Sequence, residues 1–348
     1  MRIAVTGASG LIGGHVVRAG VAGGHTVTAL LRASSGREAL VGLDVVSVAA
    51  DVLGPVDALT AAVTGAEVVI HTAATFAYGG DAAALHRVAV AGTVNVLDAA
   101  AAAGVRRVVV TSSSVVFGYA DERRVIDERA GLADPAGQPA YVAAKIAQDA
   151  AATARADALG LELVLACPTM SVGGVATTLG PSNAIVTAYL ADPMRSTFPG
   201  GCNIVAARDV GAGHILLAER GRPGTHYLLG SENLDWSDIH AMIGELAGAG
   251  PPRLELSPRI VGLAAAADAW RARLTGAAPA TTREQAGMVG RWYWYDHSAA
   301  AALGYAPMPA RAALIEAVAW LAASPHVSRE VRATLRLHDD VQRFRYAA

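Results

Sequence analysis

Short apolar runs alternate with longer mixed stretches through the first half of the chain, and this alternation indicates the architecture. Strands of a parallel sheet are buried on both faces, so they form continuous apolar runs. An order in which such strands alternate with helices predicts an α/β fold with a doubly wound parallel sheet, of the Rossmann kind. The predicted strands cover residues 2–6, 26–31, 45–49, 67–71, 107–111 and 161–166. The predicted helices between them cover residues 11–21, 56–64, 81–103 and 140–159.

The second half of the chain has a different pattern. Glycine and proline are frequent in residues 173–201, which predicts an irregular segment that covers a substrate. We expect residues 1–170 to form mainly the sheet domain and residues 171–348 mainly a smaller C-terminal substrate-binding lobe, with residues 203–230 returning to the sheet domain. Asp209 is the expected N-cap of the first late helix. The late helices are predicted over residues 209–220, 236–247, 260–274 and 310–322.

Composition narrows the function classes. Apolar residues make up 53% of the 348 residues, which favours a packed core over disorder. The 28 basic and 30 acidic residues nearly cancel and form no basic block, which argues against nucleic acid or an anionic membrane as the main partner. No apolar run is long enough for membrane insertion, and the apolar start of the chain indicates a strand rather than a signal peptide.

Cysteine content adds an expectation about location and partners. Cys167 and Cys202 are the only cysteines, and they have neither a disulfide-framework nor a metal-ligand spacing. We therefore expect a cytoplasmic protein that acts on a small-molecule substrate and binds no metal. A homodimer is compatible with the sequence.

A glycine-rich turn joins the first predicted strand to the first predicted helix. Residues 6–13 read TGASGLIG, with Gly7, Gly10 and Gly13 at intervals of three. The first glycine allows the sharp turn, the second allows close approach of the backbone to a pyrophosphate, and the third allows the helix to pack on the strand. Leu11 and Ile12 open the helix, whose N-terminus favours phosphate. This context predicts a dinucleotide site.

The second predicted strand ends at Arg32, where NAD-binding folds commonly carry an acidic residue. An arginine there favours the 2′-phosphate of NADP(H), with Arg37 as a second candidate, although a solvated strand-end arginine is the alternative. Asp51 and Val52 follow the third strand, where a carboxylate can accept from the adenine amino group. Asp51 can equally be a turn cap.

A tyrosine and a lysine indicate the chemistry. Tyr141 and Lys145 are four residues apart in a predicted helix, so they share one face. An ammonium near the phenol is expected to lower the tyrosine pKa, which is about 10 without perturbation. Thr111 ends the fifth predicted strand, and Ser113 follows it in a serine run. Parallel sheets bind ligands at this carboxyl edge, so a hydroxyl from this run is expected to hold a substrate oxygen there.

Taken together, these motifs resemble the extended short-chain dehydrogenases/reductases of the NAD-dependent epimerase/dehydratase superfamily. The resemblance runs from Met1 to about Ala322 and is closest to dihydroflavonol-4-reductase-like and hopanoid-associated sugar epimerase-like proteins. It implies a Ser113–Tyr141–Lys145 active site that uses NADP(H). The matching stretches include TGASGLIG (6–13), IHTAA (70–74), VVVTSSSVVFG (108–118), AYVAAK (140–145) and ACPTMSVGG (166–174).

By the same resemblance, Lys145 also binds the nicotinamide ribose. Two positions depart from the family pattern: Ala89 stands in place of the usual Asn of NVxGT, and Ala144 precedes the lysine in place of Ser. The first change removes any polar contact from that Asn. Other cofactor contacts implied by the resemblance are those of Thr72, Ala73, Ala74, Pro168 and Thr169.

Four functions remain open at this point. A ketone/alcohol reductase is favoured over a sugar epimerase or dehydratase because Cys202 stands seven residues before Asp209, where such enzymes commonly place a diphosphate-binding arginine. Arg32 also favours NADP(H), whereas such epimerases usually keep NAD. A 3β-hydroxysteroid-type dehydrogenase belongs to the same superfamily. A non-catalytic NADP-binding sensor is weakened by the complete Ser–Tyr–Lys set.

Aromatic and apolar residues are the expected wall of the substrate pocket, although each is individually more typical of a core or lid. Together they indicate an uncharged cyclic or aromatic carbonyl substrate. Arg195 and Arg208 are the cations expected nearest to this cleft. The expected wall residues are Phe76, Tyr78, Phe117, Tyr119, Met170 and Tyr189, with Ser113 on the substrate oxygen. The scattered histidines, expected to be structural, are His71, His86, His214, His226, His240 and His297.

Overall fold

A parallel sheet of seven strands forms the centre of the protein. The computed structural model describes residues 1–78, 81–175, 178–276 and 281–345. The strands, in chain order, are β1 (Arg2–Thr6), β2 (Thr26–Leu31), β3 (Val46–Ala49), β4 (Val68–His71), β5 (Arg107–Thr111), β6 (Glu162–Pro168), β7 (Met170–Val172), β8 (Ser196–Thr197), β9 (Gly201–Ala206), β10 (Thr225–Leu229), β11 (Glu232–Asp235), β12 (Leu254–Glu255) and β13 (Trp292–Tyr293). The seven strands of the main sheet are ordered β10-β6-β5-β4-β1-β2-β3, all parallel.

Helices cover both faces of this sheet. The helices of the described residues, in chain order, are α1 (Leu11–Ala22), α2 (Val56–Val63), α3 (Ala82–Ala102), α4 (Ala140–Leu159), α5 (Pro181–Ala191), α6 (Ala207–Arg220), α7 (Trp236–Ala247), α8 (Pro258–Thr275), α9 (Arg283–Gly287), α10 (Ser298–Ala301), α11 (Ala310–Ala323), α12 (Arg329–Thr334) and α13 (Asp339–Arg343). Side chains of β1 alternate between the layers: Ile3 and Val5 pack with α1 and α6, while Ala4 packs with α2, α3 and α4. The fold is therefore a doubly wound α/β sheet, as the sequence predicts.

A second core lies in the C-terminal lobe. Strand β9 pairs with β7, β11 and β13 in a small sheet, and α5, α7 and α11 contribute to an apolar cluster around it. The chain then returns through α6 to β10, which pairs with β6 at the edge of the main sheet. This return brings residues of the late chain beside the ends of β5 and β6.

Local signals account for most of the element boundaries. Asp81 accepts hydrogen bonds from the backbone N–H groups of Ala83 and Ala84 and so starts α3. Gly160, with φ of +67°, ends α4 in the left-handed conformation that glycine favours. The predicted strands and helices of the main sheet agree closely with the observed ones.

Two predictions in the second half were wrong. Residues 173–201 are not irregular throughout, because Pro181 begins the helix α5; residues 176 and 177 of this segment lie outside the described residues. Asp209 is not the N-cap of α6, because β9 runs directly into the helix at Ala207. The Asp209 carboxylate instead accepts from the backbone N–H of Met308 at 2.8 Å.

Candidate active site

The glycine turn after β1 is tightly packed at two of its three glycines. Gly7 has φ of +68°, and a side chain on it would lie 2.7 Å from the Ala73 backbone. A Cβ on Gly13 would lie 2.1 Å from the Gly7 carbonyl oxygen and 2.6 Å from Thr72 Oγ1. These two positions therefore accept only glycine, since neighbouring backbone occupies the space of a side chain.

The start of α1 is open to a phosphate. Gly10 is its N-cap and has no side chain to accept from the first-turn N–H groups, and the first turn carries no acidic residue. Gly10 is exposed, and among the described residues a Cβ on it would meet only the Gly7 carbonyl oxygen, at 3.3 Å, so the outer side of the turn is accessible. A glycine cradle before an uncapped helix start, led by Leu11 and Ile12, fits the pyrophosphate of a dinucleotide.

Thr72 and Ala73, at the end of β4, face this turn. Thr72 Oγ1 donates to the Thr6 carbonyl oxygen at 2.7 Å, and the Ala73 N–H donates to Thr6 Oγ1 at 3.3 Å. Ala74 is exposed beside them. The structure therefore brings these three predicted cofactor residues next to the glycine turn.

Arg32 is exposed at the end of β2, and the next exposed cation is Arg37. Neither has an ion pair among the residues that the structure describes. Asp51 Oδ1 accepts from the Leu53 N–H at 2.9 Å, which is the turn-cap arrangement that the sequence left open. Val52 is buried, and its side chain limits the space at Gly92.

Ser113, Tyr141 and Lys145 meet at the carboxyl edge of the sheet. Ser113 follows β5 and is 9% exposed, while Tyr141 and Lys145 are buried one turn apart on α4. The Ser113 side chain interacts with the Tyr141 phenol and favours its ionised form. Lys145 Nζ donates to the Thr111 carbonyl oxygen at 2.9 Å and to Gln148 Oε1 at 2.8 Å. The three residues are therefore assembled as the motif requires.

The pKa of Tyr141 differs from the value that the sequence predicts. Burial raises the pKa of Tyr141 to about 12, against an opposing effect of the Ser113 side chain. Burial also lowers the pKa of Lys145 to about 8. The prediction of a net lowering of the tyrosine pKa was wrong, because desolvation outweighs the effects that favour the phenolate. A phenol that keeps its proton at neutral pH is suited to proton donation.

An aromatic cluster lies against Tyr141. The Phe76 and Tyr78 ring centroids are 4.7 Å and 5.8 Å from that of Tyr141, and they are 5.6 Å from each other. Phe76 is 39% exposed, so it can contact a ligand. The centroid of Tyr119 lies 5.6 Å from that of Tyr293 in the adjoining part of the wall. The approach to the phenol is thus lined by aromatic rings.

Other predicted ligand contacts lie elsewhere or are used internally. Tyr189 is 3% exposed, stacks on His240 at 4.7 Å and donates its hydroxyl to the Gly250 carbonyl oxygen at 2.8 Å. The structure places Tyr189 in the lobe core, whereas Tyr141 belongs to a different apolar cluster. Thr169 Oγ1 donates to Asn203 Oδ1 at 2.8 Å, beside Pro168 at the end of β6. Met170 is half-buried at the start of β7.

Arg195 and Arg208, which were the cations expected nearest to the cleft, contact other groups. Arg208 Nε lies 2.7 Å from Glu316 Oε1 in an ion pair. The Arg195 guanidinium lies against Gly250, next to the end of α7. Cys202 is half-buried, and burial raises the pKa of its thiol to about 12, so it is neutral at physiological pH.

Two residues near this group, Arg291 and Gln148, were not predicted from the sequence. Arg291 lies with its guanidinium carbon 3.9 Å from the Tyr119 ring centroid and is hydrogen-bonded to the Tyr293 side chain. Gln148 contacts Lys145, as described above. No local pattern distinguishes either residue: Gln148 stands one turn after the lysine on α4, which is a signal only once the lysine is known to be buried.

A buried carboxylate, that of Asp149, lies one turn after Lys145 on α4. Asp149 Oδ2 accepts from Ser112 Oγ at 2.6 Å and lies 3.1 Å from His226 Nε2. His71 and His214 are buried and bonded to threonine hydroxyls.

No group of three or more metal-ligating side chains occurs in the described residues. In the same residues, no helix is long and apolar enough to cross a membrane.

Comparison with known proteins gives concordant matches. The model of the NAD dependent epimerase/dehydratase family matches residues 3–230. A putative dihydroflavonol 4-reductase of Synechocystis sp. is 32% identical over 255 residues, which are 72% of this chain and 73% of that protein. Sterol demethylase protein B of Methylococcus capsulatus is 31% identical over 324 residues, 92% and 98% of the two chains. The crystal structure of a nucleoside-diphosphate-sugar epimerase from Pseudomonas aeruginosa superimposes with a TM-score of 0.75 at 26% identity, covering 94% of this chain and 99% of that one.

Proposed function

Because the chain belongs to the NAD-dependent epimerase/dehydratase family, we propose that it is an NADPH-dependent reductase of a bulky, uncharged cyclic or aromatic carbonyl compound. Membership in this family of extended short-chain dehydrogenases/reductases establishes an enzyme class that binds a nicotinamide cofactor. The choice of NADP(H), the direction and the substrate class are the proposal.

The observation that carries the proposal is the aromatic surface in front of the proton donor. Phe76 and Tyr78 pack on Tyr141, so a ligand that reaches the phenol passes aromatic rings. A diphosphate in a partly desolvated cleft needs paired cations, and Arg208 is already paired with Glu316. Similarity to proteins named for a flavonol and a sterol supports a polycyclic substrate.

The residues then have separate tasks in the reduction. When bound, the nicotinamide supplies a hydride to the carbonyl carbon. Tyr141 gives its proton to the developing alkoxide, and the Ser113 hydroxyl donates a hydrogen bond to the same oxygen. Lys145, one turn after Tyr141 on α4, supplies positive charge that favours loss of the tyrosine proton during the step. The aromatic wall excludes water from this group.

A sugar epimerase or dehydratase is the second candidate, favoured by the structural match to the Pseudomonas aeruginosa epimerase and by the cation of Arg291 over the Tyr119 ring. A panel assay separates the candidates. The protein and NADPH are incubated with aromatic and alicyclic ketones, including a 3-ketosteroid, and separately with UDP-, GDP- and dTDP-sugars. The Tyr141→Phe variant serves as the blank.

We expect NADPH oxidation with at least one ketone and no conversion of any nucleotide sugar. Conversion of a nucleotide sugar with no ketone accepted would establish the epimerase class. Tight NADPH binding without turnover of either group would favour a non-catalytic sensor.

Cofactor preference provides a separate prediction. NADP(H) is expected to bind at least about tenfold tighter than NAD(H), because a 2′-phosphate can pair with the exposed Arg32. A tenfold preference for NADP(H) requires only ~1.4 kcal/mol from that pairing. Fluorescence titration with both reduced cofactors measures it, and Arg32→Asp should abolish the preference. Arg259→Asp, at an exposed arginine of α8, is the control; an unchanged preference in Arg32→Asp would contradict the assignment.

A further inference from the structure

A ladder of buried polar side chains runs from Lys145 away from the cleft. Gln148 Oε1 accepts from Lys145 Nζ at 2.8 Å, and Gln148 Nε2 donates to Thr93 Oγ1 at 2.9 Å. Thr93 Oγ1 lies 3.0 Å from His71 Nε2, and His71 Nδ1 lies 2.8 Å from Thr6 Oγ1. All five side chains are at most 2% exposed. The ladder therefore joins α4 to α3, β4 and β1 without contact with solvent.

The orientation of the Gln148 amide is fixed by its neighbours. An ammonium only donates hydrogen bonds, so the amide oxygen must face Lys145 and the amide nitrogen must face Thr93. His71 is neutral, since burial and the charge of Lys145 lower its pKa to about 3. A neutral imidazole bonds as donor at one nitrogen and as acceptor at the other, so it continues the ladder to Thr6.

We propose that Gln148 is a positioning residue for catalysis, which holds the Lys145 ammonium in place through the ladder anchored on Thr93 and His71. The inference deepens the proposed function and rests on it for the role of Lys145. Of the three N–H groups of the ammonium, one is bonded to the Thr111 carbonyl oxygen and one to Gln148. Two fixed bonds define where the third N–H points, which a single bond would not.

Other groups near Lys145 do not replace Gln148. Asp149 acts on Lys145 through its negative charge, which favours the protonated form of the lysine. However, the Asp149 carboxylate is bonded to Ser112 and His226. Ala89, one turn before Thr93 on α3, has no polar group and packs with Leu85 and Ala144. The nearby titratable groups are Asp149 and Tyr141 on α4, Cys167 on β6, His71 on β4 and His214, which is bonded to Thr111.

Loss of the amide should change both turnover and the acidity of Lys145. Gln148→Leu is expected to lower kcat by about tenfold to a hundredfold, the range for one hydrogen bond to a charged group, with KM for the ketone little changed. It should also move the alkaline limb of kcat/KM to lower pH by about one unit. Gln148→Glu keeps an acceptor and adds negative charge, so it should move that limb to higher pH.

A second measurement needs neither substrate nor cofactor. Lys145 has a pKa of about 8 in the folded protein, below the 10.5 of the ordinary lysine, so folding stability from this group is lost as pH falls from 10.5 towards 8. Gln148→Leu lowers the folded pKa further. Its destabilisation relative to wild type should therefore be large near about pH 7 and smaller near about pH 10, measured by urea unfolding.

Matched controls make this test specific. Thr197→Val removes a buried threonine–histidine hydrogen bond in the lobe, where Thr197 Oγ1 lies 3.0 Å from His240 Nδ1. Its destabilisation in the alkaline range should not depend on pH, and its kcat profile should match wild type. Thr93→Val, which breaks the ladder one step from Gln148, should lower kcat in the same direction as Gln148→Leu.

The outcomes are distinct. The proposal is wrong if Gln148→Leu keeps the wild-type kcat and its destabilisation is the same at both pH values. If Gln148→Leu does not fold, Gln148→Glu decides, since it must shift the pH dependence upwards. If wild type reduces no ketone, the proposed function fails, while the pH dependence of stability still tests the tie between Gln148 and Lys145.

Discussion

The Tyr141→Phe variant is expected to reduce ketones about 10²- to 10⁴-fold more slowly than wild type, the usual contribution of a general acid. Phenylalanine keeps the ring that packs on Phe76 and Tyr78, so only the proton donor and the interaction with Ser113 are lost. Binding of NADPH should stay within about threefold of wild type, a difference under ~1 kcal/mol. Steady-state kinetics and fluorescence titration measure the two effects.

Tyr189→Phe is the matched control for this experiment. It removes the hydroxyl of another buried tyrosine, which donates to the Gly250 carbonyl oxygen in the lobe core. Because that ring is enclosed away from Tyr141, ketone turnover should be kept. If Tyr141→Phe retains most of its rate on a substrate that wild type reduces, another group is the acid.

The pH dependence of wild-type turnover follows from the same group. The pKa of Tyr141, raised to about 12 by burial, keeps the proton donor intact over the neutral and mildly alkaline range. Lys145 loses its positive charge as pH rises through about 8. We therefore attribute an alkaline fall in the reduction rate to Lys145 rather than to Tyr141, and the Gln148 variants test this attribution.

The Gly13→Ala variant is expected to lose NADPH binding by at least about a hundredfold, or ~2.8 kcal/mol. The added methyl carbon would lie 2.1 Å from the Gly7 carbonyl oxygen, which is backbone and cannot turn aside as a flexible side chain does. The turn must therefore open, which moves the N-terminus of α1 from the position that fits a pyrophosphate. Overpacking of this kind should also reduce stability by about 1–3 kcal/mol.

Gly262→Ala is the control for a glycine-to-alanine change inside a helix. Apart from the neighbouring backbone of α8, no atom of the described residues lies within 4 Å of a Cβ at Gly262, so the substitution should stabilise the protein by about 0.5–1 kcal/mol through helix propensity. Thermal unfolding and NADPH titration measure both variants. Binding of NADPH by Gly13→Ala within threefold of wild type would contradict the role of the glycine turn.

Local pattern was sufficient for the parts of the protein that are built from consecutive residues. The glycine turn, the uncapped start of α1 and the Tyr141–Lys145 spacing each depend on neighbours within about one or two helical turns. Apolar strand runs likewise report burial on both faces, whatever the order of the strands. The resemblance to a family added the role of Ser113, which its position in a serine run would not single out.

Contacts between distant residues were decided only by the tertiary structure. The small sheet of the lobe forms from short strands with polar residues, and the Tyr295 hydroxyl reaches the Gly118 carbonyl oxygen across 177 positions of sequence. Tyr189 is an aromatic residue in the segment that was expected to cover a substrate, yet packing places it in the lobe core.

The pKa values of the site residues were also decided only by the tertiary structure. The sequence determined that a tyrosine and a lysine share one face of α4, and from this it predicted a lowered phenol pKa. The fold buries both, and desolvation then raises the tyrosine pKa and lowers that of the lysine. Gln148 is held beside Lys145 because its own amide nitrogen donates a hydrogen bond across the helix interface. The acceptor is Thr93, which is 55 residues away in sequence. Sequence patterns record which faces are buried, whereas dielectric surroundings and long-range partners exist only after the layers have packed.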